Sequence, residues 1–495
     1  MAVQKPNLKI AEGRLFINGK WKASRSGKTF PTIDPATEDV IARIAEGTAD
    51  DVEESANAAH AAFHDGPWGK MPGSERAKIM HRIADLIEER GDELAFRESI
   101  DMGMLYRDAK GWGIPHIANM FRYYAGWATK IEGSVKPAEG VGYRKELMAY
   151  TLREPLGVVA AITPFNFPLI LSVSKIAPAL AAGNTFIHKP ASSTPLAAIA
   201  LAEIAQQAGM PDGAYNMITG PGNVIGTALT KHPLIDKVAI TGSTATGQQI
   251  IRDGAETMKH ITVELGGKSP HIIFADADLE AALTWAYYGI FLNKGEVCVA
   301  GSRLLVERPI YDQFIERFVE RVKKIKVGNP FDSESEYGPM ADDKEHAKVM
   351  RYIDIGKKEG ARLVSGGNAF KIDGKGFYIE PTIFADATND MKIAREEIFG
   401  PVVPVIPFDG FDEAIQLAND TPYGLASGVQ TRDIAKAMRA ARRIKAGTVW
   451  LNTWHQYDPS VPFGGYKMSG YGREQGWEAL MNYTQTKSVW LELGA

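Results

Sequence analysis

The chain carries a single cysteine, Cys298, and a thiol becomes a strong nucleophile once it ionises. A lone cysteine is more often a small buried hydrophobe, so its surroundings decide. It sits in NKGEVCVAGSR, among glycines and small residues between two apolar segments. A thiolate attacking a carbonyl needs a donor for the oxyanion, a base for the thiol or a later water, and exclusion of bulk solvent. Asn166 in TPFNFP offers an amide NH₂ between two prolines, where the backbone is stiff. Glu264 in VELGGKSP is an acid wedged between an apolar run and a Gly-Gly pair, where burial would raise its pKa towards that of a useful base. Taken singly, both read better as turn or capping residues; with Cys298 they outline nucleophile, oxyanion donor and base.

A second feature concerns anions. The turn TGSTATG, Thr241 to Gly247, follows KVAI and precedes QQIIRD. A strand, a glycine turn and a helix start bring free backbone N–H groups and a positive dipole end to one point, which suits a pyrophosphate. Its spacing is G-x-x-x-x-G and not the usual dinucleotide G-x-G-x-x-G, so an ordinary βα turn reads it equally well. No metal is expected. His60 and His64 are four apart on a helical stretch, but no third ligand is apparent and a solvated face is the simpler reading. One cysteine also excludes an intrachain disulfide and a multi-thiolate site.

These residues need a scaffold. At about 150 residues per domain, 495 residues suggest roughly three units. Hydrophobic residues at 45% and charged residues at 23% are ordinary globular usage. The net charge of −4 provides no broad positive field, so neither nucleic acid nor an anionic membrane is an expected partner. The uncharged run Leu156 to Ser174 is broken by Pro164, Asn166 and Pro168 and reads as strand, loop and helix. The first residues show neither an apolar signal region nor an Arg/Ser-rich transit pattern, so the cytoplasm is the expected location.

From about Ala49 to Gly103 the pattern is helical. From Leu156, short β-branched runs (GVVAAIT, NTFIHKP, AYNMITG, KVAITG) alternate with helical stretches, which means βαβ units and a parallel sheet. A second series runs from Pro270 to about Leu451, with the boundary near Glu264 to Pro270. The expected class is therefore α/β, with two α/β domains and parallel-rich sheets. Gly133 to Pro155 reads as a turn-rich strand ribbon, and TKSVWLEL near the end as one more strand.

In order and at compatible spacing, Asn166, Gly242 to Gly247, Glu264, Cys298, EEIFGPV (Glu396 to Val402) and PFGGYKMSGYGRE (Pro462 to Glu474) resemble the aldehyde dehydrogenase superfamily over essentially the whole chain. The resemblance implies a dinucleotide-binding domain over 1–132 and 155–265, a catalytic domain over 266–473, and an oligomerisation element over 133–154 and 474–495. It implies NAD(P)-dependent oxidation of an aldehyde to its acid. Cys298 would form the thiohemiacetal, Asn166 and the Cys298 backbone N–H the oxyanion hole, and Glu264 would activate water against the thioester, favouring a free acid over transfer to coenzyme A. Lys175 and Glu474 match positions that relay a proton from Glu264, although a packing salt bridge looks the same in sequence.

For the cofactor, Ile162, Thr163, Phe165 and Asn166 would line the dinucleotide and Lys189 would meet the adenosine ribose. Thr241, Gly242 and Ser243 would sit at the pyrophosphate, with Gly222, Gly226 and Leu265 in the same site, and Glu397 and Phe399 would hold the nicotinamide ribose and ring. The superfamily uses the G-x-x-x-x-G turn, so that spacing becomes support. NAD-preferring members usually carry glutamate where this chain has Ser192, which predicts use of both NAD and NADP.

The implied substrate tunnel comprises Phe167, Leu171, Ser174, Val297, Val299, Tyr457 and Phe463, an apolar and aromatic set with no Arg or Lys. An apolar or aromatic aldehyde is therefore favoured, and a terminal carboxylate would lose a partner worth about 1.5–3 kcal/mol. Trp454, His455 and Tyr457 are expected near the mouth, where they would stack on an aromatic or cationic aldehyde or merely pack. The open alternatives are a semialdehyde or aminoaldehyde dehydrogenase, and a cysteine esterase or thioesterase without hydride transfer. A homo-oligomer, dimer or tetramer, is expected because an isolated ribbon leaves strand edges unpaired.

Overall fold

KVAIT is buried along its whole length and VVAAI along all but its last residue, the pattern of strands covered on both faces. A computed structural model describes residues 12–138 and 146–493. Residues 1–11, 139–145 and 494–495, parts of the expected first domain, ribbon and C-terminal strand, lie outside the described residues.

The first sheet has eight strands in the order Lys20–Lys22, Leu15–Ile17, Tyr215–Met217, Thr185–Lys189, Val158–Ile162, Lys237–Thr241, His260–Glu264, Gly470–Tyr471. The middle five are parallel and the outer three antiparallel. Chain order reverses between Val158–Ile162 and Lys237–Thr241, a switch point where ligands enter a crevice at the carboxyl ends of the strands. Asn166 and the Gly242 turn both leave the sheet at that edge.

The second sheet has seven strands in the order Arg362–Ser365, Thr382–Ala385, Val402–Phe408, Arg303–Glu307, Pro270–Ile273, Ala426–Gln430, Thr448–Leu451, parallel except at its first edge. A separate ribbon joins Thr484–Glu492, Leu147–Pro155 and Val135–Pro137, with Thr484 opposite Pro155 and Glu492 opposite Leu147. Leu147–Pro155 runs almost directly into Val158–Ile162.

Gly470–Tyr471, inside the expected 266–473 segment, pairs with Glu264 and Val263 in the first sheet. A side chain at Gly470 would meet the Val263 carbonyl, and its φ of 112° is open to glycine alone. The helix Pro168–Ala182 starts with proline, whose missing N–H costs nothing there, and ends at Gly183 in the left-handed region. Two buried acids of the helix Gly91–Met102 satisfy the starts of neighbouring helices: Glu98 accepts from the Leu169 N–H at 2.9 Å and Asp101 from the Leu196 N–H at 2.8 Å. Among the described residues no helix is long and apolar enough to cross a membrane.

Candidate active site

A cavity of about 370 Å³ opens beside the start of the Pro168–Ala182 helix, with half-buried Cys298 on its wall. Phe167, Leu171, Ser174, Val297, Val299, Tyr457 and Phe463 all line it. They are the positions that the family resemblance implies. Trp112, His116, Ile170, Leu292, Gln456 and Gln475 also line it and were missed. Trp112 and His116 come from a distant π-turn and helix, Ala109–Gly113 and Ile114–Ala125, for which the only local signal is an aromatic residue between glycines. Trp454 is a correction. His455 and Tyr457 reach the cavity, but Trp454 is fully buried, its ring tilted against His271 at 4.5 Å and Trp450 at 5.2 Å, in space left by Gly289, Gly301 and Gly428.

The Cys298 thiol is pushed up to about 12, first by burial and then by the charges of Glu397 and Glu264, so it rests protonated at neutral pH. Asn166 is buried; its Nδ2 donates to the Glu296 carbonyl at 2.9 Å, and its own carbonyl accepts from Asn293 Nδ2 at 2.9 Å. Its amide keeps a second N–H. Neither Asn166 nor Glu264 forms the cavity wall; both stand behind it.

Glu264 ends the His260–Glu264 strand, buried, with neither carboxylate oxygen in a well-formed hydrogen bond. Burial and the like charge of Glu474 raise its pKa well above the carboxylate range, and Lys175, Arg473 and the nearby Gly465 N–H oppose this only in part. Gly464 leaves its room: a Cβ there would lie 2.6 Å from Glu264 Oε1. Glu474 is the opposite case. It accepts from Ser174 Oγ at 2.6 Å and from the fully buried Lys175 ammonium, which also donates to Thr241 Oγ1 at 2.6 Å.

Along the crevice, Ser243 caps the helix Thr244–Ala255 by accepting from the Thr246 N–H at 3.2 Å, leaving the turn exposed. Gly222 begins the π-turn Gly222–Gly226 with open space where a side chain would be, and Gly226 packs on Ile162. The Thr163 hydroxyl lies 3.0 Å from His188 Nε2, and His188 is held neutral, near 3, by burial. Lys189 is buried, its ammonium donating to the Pro190 carbonyl at 2.9 Å, and burial lowers it to about 8. Ser192 donates to the Gly220 carbonyl at 2.9 Å. Leu265 packs its side chain onto Gly247 and so seats the helix. Glu397 accepts from the Gly267 N–H at 3.0 Å and lies where a Cβ on Gly266 would fall. Phe399 adopts φ 59° and meets Phe165 edge-on at 5.7 Å.

A nucleotide-type crevice meeting a cysteine at the base of an apolar cavity defines a cysteine-dependent oxidoreductase. Residues 21–489 match the family described as "Aldehyde dehydrogenase family". The chain is 48% identical over 492 residues to Aldehyde dehydrogenase family 2 member C4 of Arabidopsis thaliana, covering 99% of this chain and 97% of that protein. It is 45% identical to the mitochondrial benzaldehyde dehydrogenase of Antirrhinum majus, covering 98% and 90%. Among solved structures, the NAD+ complex of aldehyde dehydrogenase from Bacillus cereus matches at 44% identity and a TM-score of 0.96, covering all of both chains. The Pseudomonas syringae indole-3-acetaldehyde dehydrogenase AldA, as a mutant with NAD+ and IAA, matches at 43% and 0.95, covering 98% of each. The chain belongs to the aldehyde dehydrogenase family, and it oxidises an aldehyde to a carboxylic acid in an NAD(P)-linked reaction through a catalytic cysteine.

The crevice fits a dinucleotide. Gly222 and the Ser243 turn leave backbone open to a pyrophosphate, and the Gly266–Glu397 packing is a cradle that a Cβ would fill.

Proposed function

We propose that the substrate is an apolar or aromatic aldehyde and that both NAD and NADP serve as cofactor. The observation carrying the substrate reading is the cavity wall: Trp112, Phe167, Tyr457 and Phe463 surround Cys298, and among the described residues lining it there is no Lys or Arg. Burial holds His116 below its usual pKa, so it supplies no standing positive charge for a carboxylate-bearing semialdehyde. A panel of benzaldehyde-like, aliphatic, amino- and semialdehydes tests this. Benzaldehyde-like compounds should give the highest kcat/KM, and a semialdehyde exceeding them overturns the reading.

In the mechanism, Cys298 gives its proton to water in the cavity mouth and its sulfur adds to the carbonyl carbon, while the second Asn166 N–H and the Cys298 backbone N–H donate to the oxyanion. A dinucleotide held in the crevice would supply the hydride acceptor needed to oxidise this adduct to a thioester. Glu264, once deprotonated, takes the proton of the attacking water. Glu474, paired with the buried Lys175, frames this carboxyl from behind. Lys189 and Ser192 would hold the adenosine ribose, Ser243 the pyrophosphate, and Glu397 with Phe399 the nicotinamide end.

Dual cofactor use is supported by Ser192, whose neutral hydroxyl replaces a carboxylate that would repel a 2′-phosphate. Values of kcat/KM with NAD and NADP within about tenfold of each other (~1.4 kcal/mol) are expected. No turnover with millimolar NADP excludes it. The ribbon leaves apolar side chains in water, Val135 at 71% and Trp490 at 61% exposure with Leu152 and Leu491 beside them, which supports a homo-oligomer assembled through it. A solution mass near 54.0 kDa would exclude that. The lone cysteine suits a reducing compartment, the cytoplasm.

A further inference from the structure

We infer that Lys294 is a positioning residue that sets the oxyanion donor against the nucleophile by closing a two-jawed clamp on Asn166. The inference rests on the roles assigned above to Cys298 and Asn166. Both jaws belong to the loop that carries Cys298. One is the Asn293 amide, donating to the Asn166 carbonyl at 2.9 Å; the other is the Glu296 carbonyl, accepting from Asn166 Nδ2 at 2.9 Å. Asn166 follows a strand of the first sheet, and Asn293 to Glu296 lie between Pro270–Ile273 and Arg303–Glu307 of the second, so this contact joins the two units.

One ammonium organises both jaws. Lys294 Nζ donates to Asn293 Oδ1 at 3.1 Å and to the Met102 carbonyl at 2.7 Å, and it forms an ion pair with Glu296 Oε2 at 3.2 Å. A lysine has three protons to give; two go to the Asn293 and Met102 oxygens, and the charge faces Glu296 Oε2 as an ion pair without a well-formed hydrogen bond. The side chains of Lys294 and Glu296 are 1% and 0% exposed, so water cannot replace a lost partner. Glu296 is further fixed by the Ala341 N–H at 3.1 Å.

The backbone shows why a clamp is needed. Asn293 and Lys294 are successive non-glycine residues at φ 47° and 52°, in the left-handed region. Lysine has no intrinsic preference for that region, so the surroundings must impose it. The distortion breaks the helix after Phe291 and turns the chain towards Cys298. Met102 ends the same helix whose Glu98 holds the Leu169 N–H. That helix therefore anchors the Asn166 segment and the Cys298 loop together.

The test is a cycle of Lys294→Met, Asn166→Ala and the double variant, assayed in full-length enzyme with benzaldehyde and NAD. K294M should lower kcat about 10- to 100-fold, with KM for aldehyde and affinity for reduced cofactor changing less than threefold. In the Asn166→Ala background K294M should cost less than twofold, because the group it positions is gone. Lys294→Gln combined with Glu296→Gln, which keeps donors and removes both charges, should recover at least a third of the wild-type kcat. A folded K294M with kcat within twofold of wild type overturns the inference, as does multiplication of the two single losses. Full turnover by Asn166→Ala overturns both the inference and the oxyanion-donor reading. If K294M does not fold, Asn293→Gly, which suits the positive φ and opens one jaw, replaces it in the cycle with the same expected and overturning results.

Discussion

Glu264 and Glu474 are both buried, and both stand close enough to Cys298 to raise its pKa, yet their surroundings differ in every other respect. Glu474 has its oxygens taken by Ser174 and Lys175. Glu264 has no well-formed hydrogen bond and sits in a slot kept open by Gly464. A carboxylate saturated with donors is a fixture, because moving or protonating it strands its partners. A carboxyl left unpaired in an apolar setting loses little by rotating, and its protonation answers to its neighbours. The site thus separates the acid that changes state from the acid that holds the framework.

The sharpest break of this comparison comes first from the nucleophile. Cys298→Ala should abolish reduced-cofactor formation by at least about 10³-fold while fluorescence still reports cofactor binding, which fixes the zero for both acids. Glu264→Gln should come next. Steady-state turnover is expected to fall about 10²- to 10⁴-fold, with a burst of one reduced cofactor per subunit preserved, since only thioester hydrolysis needs the base. In the unmodified enzyme, the raised pKa of Glu264 means that the carboxylate form grows as pH climbs. Hydrolysis should therefore accelerate with pH beyond the ordinary carboxylate range, and a flat profile there would contradict the assignment.

Glu474→Gln should divide the two roles most clearly. Stability should drop by about 3–5 kcal/mol in urea titration, because Lys175 is left charged and buried, while turnover falls less than with E264Q. Removing the like charge that raises Glu264 should also move the ascending limb of the pH profile to lower pH. The mildest case is Ser174→Ala, which removes one hydrogen bond to Glu474 and should cost about 1.5 kcal/mol of stability with turnover within threefold. A larger kinetic loss there would place Glu474 among the groups that change state.

Much of this arrangement was readable in advance where chemistry is local. Asn166 between prolines and Glu264 before two glycines each read alone as a turn or capping residue; their roles emerged from the combination with Cys298 and from the family resemblance. Phe167, Leu171, Ser174, Val297 and Val299 came from the family resemblance, which runs without gaps around Asn166 and Cys298. Parallel strands were legible because their apolar runs are continuous. What escaped depends on distant partners: Trp112 and His116 reach the cavity only through the packing of their helix, and Trp454 turns inward because three glycines far apart in the chain make room for it. Lys294 and Glu296 resemble solvated surface charges in sequence, and only tertiary structure encloses them. The short strand Gly470–Tyr471 has no periodicity to announce it; its place follows from the close approach its glycine permits.

Only Leu156 and Gly157 join the ribbon strand Leu147–Pro155 to Val158–Ile162; the chain bends at Gly157, φ 132°, and the Val158 N–H is tied to Asp236 at 2.8 Å just beyond the bend. Four residues past Ile162 the same chain reaches the oxyanion amide. A displacement of the outer ribbon is thus passed to the reaction centre through a short covalent path pinned at its bend, so that docking a neighbour there would brace the chemistry as well as the shape.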